Sequence, residues 1–561
     1  MERQYLNKSF IVTDWEPLKP FFDDLTERPI NSKEELIKWF KDRSELEAVL
    51  SEDGAWRYIK MTCDTTDEKL RDNFNYFVQE ISPKIAPYSD KLNRKAVESK
   101  YLEVVSEQLG YDIMIREMKK EIEIFREENI PLQTELQTEA QEYGKISGAM
   151  TIVLKGEEKT LQQAAVELQK TDRKWREEVY HKISTRRLLD RNKLDDLFNK
   201  LIGLRHKLAN NAGFENYRDY MFKAMGRFDY TPRDCFDFHD AVASEVVPLL
   251  NDFAETRKKK LKVDSLKPWD KAVDEEGKPP LKAFDDGEDL LDKGIEVFTA
   301  TDSYLGECLN TMKDMGRLDL ESRKGKSPGG YNYPLAETGV PFIFMNATST
   351  LRDMVTLMHE GGHAVHAFLS DELELTEFKS TPSEVAELAS MAMELISMDQ
   401  WHIYFPNEED LIRAKREHLE QLIETLPWVA TIDKFQHWIY ENPTHSVNER
   451  LESWDKIFST FSDSLTDWNK LELNKSYLWQ RQLHLYEVPF YYIEYGMAQL
   501  GAIAVWKNYK EDNKKGLEGY MNALKLGYTA TIPEIYEAAG IKFDFSREYI
   551  RELMDFVKQE L

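Results

Sequence analysis

The chain has 561 residues, which is long enough for a large hydrophobic core and for two lobes. Its 75 lysines and arginines and 102 aspartates and glutamates give a formal net charge of −27, which would repel nucleic acid phosphates and anionic membrane surfaces. The three cysteines, Cys63, Cys235 and Cys308, are far apart and lack CxxC spacing, so they predict neither a disulfide framework nor a cysteine zinc site.

The N-terminal segment MERQYLNKSFIVTDWEPLKP has no apolar stretch of signal-peptide length. No segment approaches the roughly 20 apolar residues of a membrane span. Together with cysteines that we expect to be reduced, these features predict a soluble, cytoplasmic protein with neither nucleic acids nor membranes among its partners.

Helical periodicity dominates the chain. Apolar residues recur at helical spacing in LEVVSEQLGYDIMIREMKKEIEIFREEN, residues 102–129, and in LDDLFNKLIGLRHKLANNAGF, residues 194–214, which ends near a glycine. GAMTIVLKGEEKTL, residues 148–161, could form a β-hairpin. The predicted fold class is mainly α. Because no repeat or clean linker divides the chain, we place a soft lobe boundary near residue 185.

Strand signals return at residues 329–350, GGYNYPLAETGVPFIFMNATST, with a glycine pair, alternating aromatics and the β-prone run Pro341 to Asn346. Thr350 and Asp353 then fit a capping box. The sequence therefore predicts a small β-sheet that leads directly into a helix from about Leu351 to about Leu369.

Two histidines of this helix, His359 and His363, are four residues apart and share one helix face, where a single metal ion can reach both. Glu360 adjoins the first of them, as the general base of an HExxH zinc hydrolase does. The pattern alone is only moderately specific, because an amphipathic helix with surface histidines can carry it by accident.

A catalytic zinc ion needs a third protein ligand. STPSEVAELASMAMELISM, which starts at Ser380, is helical in character and carries Glu384, Glu387 and Glu394. Glu387 and Glu394 are seven residues apart and share a face, while alanine and serine neighbours make this helix thin. One of these glutamates should be the third ligand.

Gly361 and Gly362 stand between the histidines, although each interior glycine costs about 1 kcal/mol relative to alanine. We interpret the pair as removing side chains that would keep the two metal-binding helices apart. The alternatives are that glycine is merely tolerated or that it makes room for a substrate backbone.

These segments resemble the thimet oligopeptidase and oligoendopeptidase F family of zinc peptidases. The likeness rests on HEGGH with EVAELASMAME, on RKGKSPGGYNY and PFIFMN upstream, on HLYEVPFYYIEYG downstream, and on AGFENYRDYMFKAMGRFDYTP at residues 212–232. It is greatest to the bacterial oligoendopeptidase F and Pz-peptidase branch and runs from about residue 200 to beyond residue 500. The N-terminal third adds little beyond helicity.

The resemblance implies one Zn²⁺ ion per chain, with His359, His363 and Glu387 as ligands and Glu360 as the base. Glu394 matches a second carboxylate that would orient a ligand histidine, although it could also lie on a solvated helix face. Glu384 is expected at the surface. His366 is expected to be packed rather than to bind metal.

The downstream segment matches family residues that contact the substrate or the developing oxyanion: His484, Tyr492 and Tyr495. The spacing is about one residue shorter than in thimet oligopeptidase, so Tyr491 competes with Tyr492 for the match. An aromatic cluster without such a resemblance would more often belong to a core.

The resemblance also implies two helical lobes that flank a deep substrate channel, with the small sheet beside the zinc-binding helices. Residues 1–185 would form the N-terminal lobe and residues 186–561 the catalytic zinc-peptidase lobe. The expected substrates are short unstructured peptides, and folded proteins would be excluded. The oligomeric state is not predicted.

The strand at Gly329, Gly330 and Tyr331 could bind an extended peptide by β-addition, which uses backbone hydrogen bonds and tolerates many side chains. We therefore predict a zinc metalloendopeptidase that cleaves internal bonds. One alternative is a helical zinc carboxypeptidase, which would need a cation for the terminal carboxylate that the sequence does not identify. The other is a non-catalytic peptide-binding scaffold that carries HExxH by accident.

Overall fold

Helices make up most of the computed structural model, which describes residues 3–323, 325–327 and 329–561. Lys324 and Pro328, two residues of the segment RKGKSPGGYNY, lie outside the described residues. The predicted mainly α fold class is confirmed. The described helices up to residue 189 are α1 Trp15–Glu27, α2 Lys33–Cys63, α3 Glu68–Tyr76, α4 Ser82–Val97, α5 Leu102–Val105, α6 Tyr111–Ile124, α7 Ile130–Gly148, α8 Leu161–Val166 and α9 Arg173–Leu189.

The longer second part of the chain contributes the helices that carry the predicted site. In chain order they are α10 Arg191–Asn211, α11 Tyr217–Ala224, α12 Pro232–Glu245, α13 Val247–Leu261, α14 Gly287–Thr301, α15 Ser303–Asp314, α16 Leu351–Ser370, α17 Thr376–Lys379, α18 Ser383–Ile396, α19 Glu408–Glu441, α20 Val447–Phe461, α21 Glu472–Ser476, α22 Leu483–Glu487, α23 Tyr492–Glu511, α24 Asn513–Lys525, α25 Ile532–Ala538 and α26 Arg547–Glu560.

The window 102–129 is interrupted rather than continuous. Gly110 separates α5 from α6 with a φ of +84°, in the left-handed region that glycine adopts at low cost. A Cβ atom at Gly110 would lie 2.8 Å from Cγ2 of Thr529. A distant part of the chain therefore fixes this break, which apolar periodicity within the window could not reveal.

Two β-sheets occur among the described residues. The predicted hairpin is confirmed: β1 Thr151–Leu154 pairs antiparallel with β2 Glu157–Thr160. In the second sheet, β5 Phe342–Ala347 lies between β3 Leu318–Glu321, to which it is parallel, and β4 Tyr331–Tyr333, to which it is antiparallel. β4 is therefore an edge strand, and its outer side pairs with no other strand that the structure describes.

The helix after β5 begins and ends nearly where the sequence predicts. The Thr350 hydroxyl accepts from the backbone N–H of Asp353, and the Asp353 carboxylate accepts from the backbone N–H of Thr350, so the capping box is confirmed. α16 packs against α18 and against the sheet. This junction places the predicted ligands beside β4.

The buried hydrophobic side chains form two large clusters, and residue 185, near which we predict the lobe boundary, lies inside α9. One cluster of buried side chains extends from Leu6 to Met118, whereas the main cluster starts at Ile124. Leu375 and Phe378, just after α16, belong to the N-terminal cluster. The N-terminal helices are therefore anchored next to the predicted site.

No helix in the described part of the chain is long and apolar enough to cross a membrane.

Candidate metal centre

Three predicted ligands meet where α16 faces α18. Oε2 of Glu387 lies 3.4 Å from Nε2 of His359 and 3.8 Å from Nε2 of His363. Zinc bonds of about 2.0–2.2 Å at tetrahedral angles place neighbouring ligand atoms roughly 3.3–3.6 Å apart. The spacing and the two-imidazole, one-carboxylate donor set therefore fit a zinc ion.

Gly362 allows this meeting. A Cβ atom on Gly362 would lie 2.6 Å from Cα of Ser390 and 2.7 Å from the carbonyl oxygen of Ala389, both on α18. Backbone atoms cannot move aside as a flexible side chain can, so any larger residue would push the helices apart. The interpretation of the glycine pair as a close-approach device is confirmed for Gly362.

Gly361 has a different neighbour. Its Cβ atom would lie 2.5 Å from Cζ of Phe298, on α14 rather than on α18. Gly361 therefore lets α16 pack closely against the Phe298 ring of α14. The interpretation that the pair lets the two ligand helices approach closely is therefore wrong for Gly361.

Glu394 lies two turns beyond Glu387 on α18. Nδ1 of His359 donates to Oε1 of Glu394 over 2.6 Å, which leaves Nε2, facing Glu387 and His363, as the atom that would bind a metal ion. Glu394 is only partly exposed. Its position matches the predicted orienting role rather than a solvated helix face.

The charges of the three ligand side chains favour a cation. Burial raises the pKa of Glu387, but His359, His363 and Tyr491 outweigh burial and lower it to about 2, so this carboxylate is ionised at neutral pH. Burial lowers the pKa of His363 to about 4, which keeps its imidazole neutral. Burial also lowers the pKa of His359, but Glu387 and Glu394 outweigh burial and raise it well above its usual value. The carboxylates that attract a proton there would equally attract a metal ion.

Glu360 is only 6 % exposed. Burial raises the pKa of its carboxyl group to about 7. Its Oε2 atom has no hydrogen-bond partner among the described residues. Asn332, on β4, donates to the Glu360 carbonyl oxygen over 3.2 Å. A candidate base thus stands between the ligand cluster and the edge strand, with one oxygen available to take a proton.

Gly329, Gly330 and Tyr331, which we predict to bind a peptide, differ in their surroundings. A Cβ atom on Gly330 would lie 3.8 Å from Oε1 of Glu360, which brings the strand backbone next to the candidate base. Gly329 has a φ of +101° at the turn that enters β4. The hydroxyl of Tyr331 lies 2.6 Å from Oγ1 of Thr62, and its ring stacks on Phe344. The side chain of Tyr331 therefore anchors β4, and only its backbone remains to bind a peptide.

The histidine and tyrosines of the downstream segment form one aromatic group at α22 and the start of α23. Nε2 of His484 lies 3.4 Å from the hydroxyl of Tyr495, and its ring centroid is 4.9 Å from that of Tyr492. The hydroxyl of Tyr491 donates to Oε1 of Glu387 over 2.7 Å. Of the two competing tyrosines, it is Tyr491 that contacts a candidate ligand.

Two remaining residues of the metal-binding helices are buried. His366 is 4 % exposed, which agrees with the expected packed role. Glu384 is 3 % exposed and accepts a hydrogen bond from the Tyr230 hydroxyl over 2.6 Å, so its predicted surface position is wrong. Tyr230 comes from the segment before α12, and nothing local to α18 signals this contact.

A second buried group of possible ligands was missed in the sequence: Cys235, Asp433 and His437. The sequence does carry a signal for this group, the same i, i+4 spacing as in the first one. Asp433 and His437 are four residues apart, and so are Cys235 and the neighbouring His239. The two halves come from α12 and α19, which are far apart in the chain, so their meeting depends on tertiary packing.

The comparison with protein families agrees with this geometry. The family described as peptidase family M3 matches residues 166–555, and the peptidase M3 N-terminal domain matches residues 8–125. The chain belongs to peptidase family M3. The resemblance drawn from HEGGH and its flanking segments is thereby confirmed.

Curated relatives of this M3 chain include an oligoendopeptidase F homologue of Borreliella burgdorferi, 25% identical over 64% of the chain and 60% of the relative. Oligopeptidase PepF of Bacillus subtilis is 23% identical over 58% of the chain and 50% of the relative. The matched part therefore spans between half and three fifths of these relatives. Among solved structures, Pz peptidase A bound to an inhibitor aligns with a TM-score of 0.92 and 25% identity, covering 100% of this chain and 98% of that one.

Replacing Gly362 with leucine should separate the two ligand helices of this M3 site. We expect zinc affinity to fall by about 10- to 100-fold, although leucine is the better helix former. Gly203→Leu is the matched control, because Gly203 also lies within a helix, α10, where an added Cβ atom would meet no described atom within 4 Å beyond its own helical turns. Competition with a fluorescent chelator measures the affinities. Normal zinc affinity in Gly362→Leu would contradict the close-approach role.

Proposed function

We propose that this chain is a zinc metalloendopeptidase that hydrolyses internal bonds of short, unstructured peptides. The observation that carries the proposal is the convergence of His359, His363 and Glu387 beside the buried Glu360. Membership of family M3 and the oligopeptidase names of its relatives support it. The absence of CxxC pairs and the bacterial relatives favour action in the cytoplasm.

His359, His363 and Glu387 would hold the zinc ion. When bound there, zinc supplies a Lewis acid that polarises the scissile carbonyl and lowers the pKa of water toward about 7. Glu394 fixes the orientation of His359 through the 2.6 Å hydrogen bond at Nδ1. Tyr491 likewise fixes the orientation of Glu387 through the 2.7 Å hydrogen bond to Oε1.

Glu360 accepts the proton of the attacking water and then donates it to the leaving amine. Its unpartnered Oε2 provides the acceptor atom. The pKa of about 7, which burial causes, suits a group that must both take and release a proton near neutral pH. A solvated glutamate would be a weaker base.

Tyr495 and His484 would donate hydrogen bonds to the oxyanion. Burial raises the pKa of Tyr495 well above its usual value, so the hydroxyl keeps its proton. Burial lowers the pKa of His484 to about 4, so the imidazole is neutral. Gln482 donates to Nδ1 of His484 over 2.7 Å, which leaves the ring proton on Nε2, next to Tyr495. Such donors stabilise charge as it develops.

A peptide would bind along β4. An extended substrate can add to its outer edge as a further strand and use backbone hydrogen bonds that do not depend on side chains. Gly330 brings that edge next to Glu360. This arrangement holds the middle of a peptide, and a channel between the two lobes would admit only unfolded chains.

The carboxypeptidase alternative needs a cation that binds the terminal carboxylate of the substrate. Among the described residues, no lysine or arginine forms a hydrogen bond or ion pair with the three candidate ligands or with Glu360. What favours the endopeptidase is the outer edge of β4, which can bind the middle of a peptide through backbone groups and needs no terminal carboxylate.

Replacing Glu360 with glutamine should abolish proton transfer while preserving the shape of the site. We expect zinc to remain bound and the turnover number to fall by about 10²- to 10⁴-fold. Glu372→Gln, at an exposed position just beyond α16, is the control and should leave both unchanged. Near-normal turnover in Glu360→Gln would remove Glu360 from the mechanism.

Blocking both ends of a substrate distinguishes the endopeptidase from the carboxypeptidase. A peptide of about ten residues, which spans a cleft at roughly 3.3–3.6 Å per residue, should be cut internally whether its ends are free or blocked. Mass spectrometry of the products after timed digestion identifies the cleaved bonds. Stepwise loss of C-terminal residues that amidation prevents would instead support a carboxypeptidase.

A further inference from the structure

A cysteine, an aspartate and a histidine meet in the interior, at a place separate from the candidate active site. α12 contributes Cys235 and α19 contributes Asp433 and His437. Their possible ligand atoms, one from each residue, all lie within 4.8 Å of one another. The three residues are 0 %, 0 % and 1 % exposed. Such a set of sulfur, oxygen and nitrogen atoms is rare in a core unless the atoms bind one another or a common ion.

The hydrogen bonds within this group are incomplete. Nε2 of His239 lies 2.8 Å from Oδ2 of Asp433 and binds that oxygen. Oδ1 of Asp433 and both ring nitrogens of His437 have no hydrogen-bond partner among the described residues. Nε2 of His437 lies 3.3 Å from Oδ2 of Asp433 but does not form a hydrogen bond with it. Fully buried polar atoms without partners lose hydration and gain nothing in return.

Among the described residues, no lysine or arginine forms an ion pair with Asp433. Its ion pairs in the described part of the chain are with His239 and His437 alone. Removing a carboxylate from water is costly unless an opposite charge or several donors replace the water. The two imidazoles replace the lost water only in part, because the imidazole of His437 forms no hydrogen bond with the carboxylate.

Aromatic rings pack against the two histidines of this region, and the group has no contact with bulk solvent. The ring centroid of His437 is 4.8 Å from that of Phe236 and 5.5 Å from that of Phe490. The ring of Phe461 packs against His239 at 6.3 Å. In such apolar surroundings a neutral assembly is favoured over a charged one, and a divalent cation with one thiolate and one carboxylate ligand is neutral overall.

We propose that Cys235, Asp433 and His437 bind a second, structural zinc ion. Cysteine, histidine and aspartate are all zinc ligands, and mixed sulfur and nitrogen coordination selects zinc over magnesium or calcium. As the sulfur–zinc bond forms, the Cys235 thiol gives up its proton to solvent. His239 holds the Asp433 carboxylate in place, as partners of metal ligands do.

The ligand atoms must close from at most 4.8 Å to roughly 3.3–3.8 Å, the separations that bonds of about 2.0–2.3 Å require. Side-chain rotation on two fixed helices suffices for a change of this size. The fourth position would be taken by one buried water molecule, so that His239 keeps its hydrogen bond to Asp433.

The second ion would also support the active-site tyrosine. The backbone N–H of Phe490 donates to Oε1 of Gln436, the neighbour of His437, over 2.6 Å. Phe490 has a φ of +69°, a strained value for a residue with a side chain, and it immediately precedes Tyr491. An ion that fixes α19 at His437 would therefore hold the turn from which Tyr491 reaches Glu387.

Replacement of zinc by cobalt tests the proposal on the intact protein. Thiolate-bound Co²⁺ absorbs strongly in the near ultraviolet by charge transfer from sulfur, whereas the His359, His363 and Glu387 site has no sulfur ligand. We expect this band in the cobalt-substituted wild-type protein and in cobalt-substituted Cys308→Ser. The band should be lost in cobalt-substituted Cys235→Ser. Cys308 is a matched control, since it is also a free, buried cysteine.

Zinc content provides the second readout and does not depend on peptidase activity. Metal analysis should give about two zinc ions per chain in the wild-type protein and about one each in Cys235→Ser and in His363→Ala. One zinc ion in the wild-type protein and none in His363→Ala, with no sulfur band in the cobalt protein, would overturn the proposal. Because the wild-type spectrum and zinc content decide the question, the test survives even if Cys235→Ser fails to fold.

Discussion

The close contact between α16 and α18 at Gly362 is the constraint on which the candidate site depends. The absent side chain lets the α18 backbone come near enough for Glu387 to meet His359 and His363. Metal bonds of about 2 Å leave little tolerance, so helix separation has to be set by the backbone itself. The capping box at Thr350 and the buried strand β5 fix where α16 begins, and hence which residues face α18.

The candidate ligands and Glu360 depend on contacts with several neighbouring parts of the chain. α18 supplies Glu394 to orient a ligand histidine, and the start of α23 supplies tyrosine hydroxyls. Edge strand β4 covers Glu360, whose burial raises its pKa into the neutral range. The N-terminal helices anchor β4 through Thr62 and Tyr331 and enclose Leu375 and Phe378 in their own core. The site thus lies where both parts of the protein meet, as a peptide-binding cleft requires.

Sequence reasoning succeeded where a feature depends on local spacing. The i, i+4 histidines, the capping box at Thr350, the hairpin at residues 151–160 and the shared helix face of Glu387 and Glu394 all follow from residues close together in the chain. It did not find the contacts that tertiary packing decides. Gly361 meets Phe298, Glu384 binds Tyr230, and Tyr331 binds Thr62, and each partner comes from a distant part of the chain. The group of Cys235, Asp433 and His437 escaped notice for the same reason, because each helix alone shows only half of it.

Anomalous X-ray diffraction at the zinc absorption edge, from crystals of the purified protein, tests the central claim most directly. The account predicts a strong peak about 2.0–2.2 Å from Nε2 of His359, Nε2 of His363 and a carboxylate oxygen of Glu387. Crystals of zinc-loaded protein in which the anomalous signal lies elsewhere, with no peak among these three side chains, would contradict it.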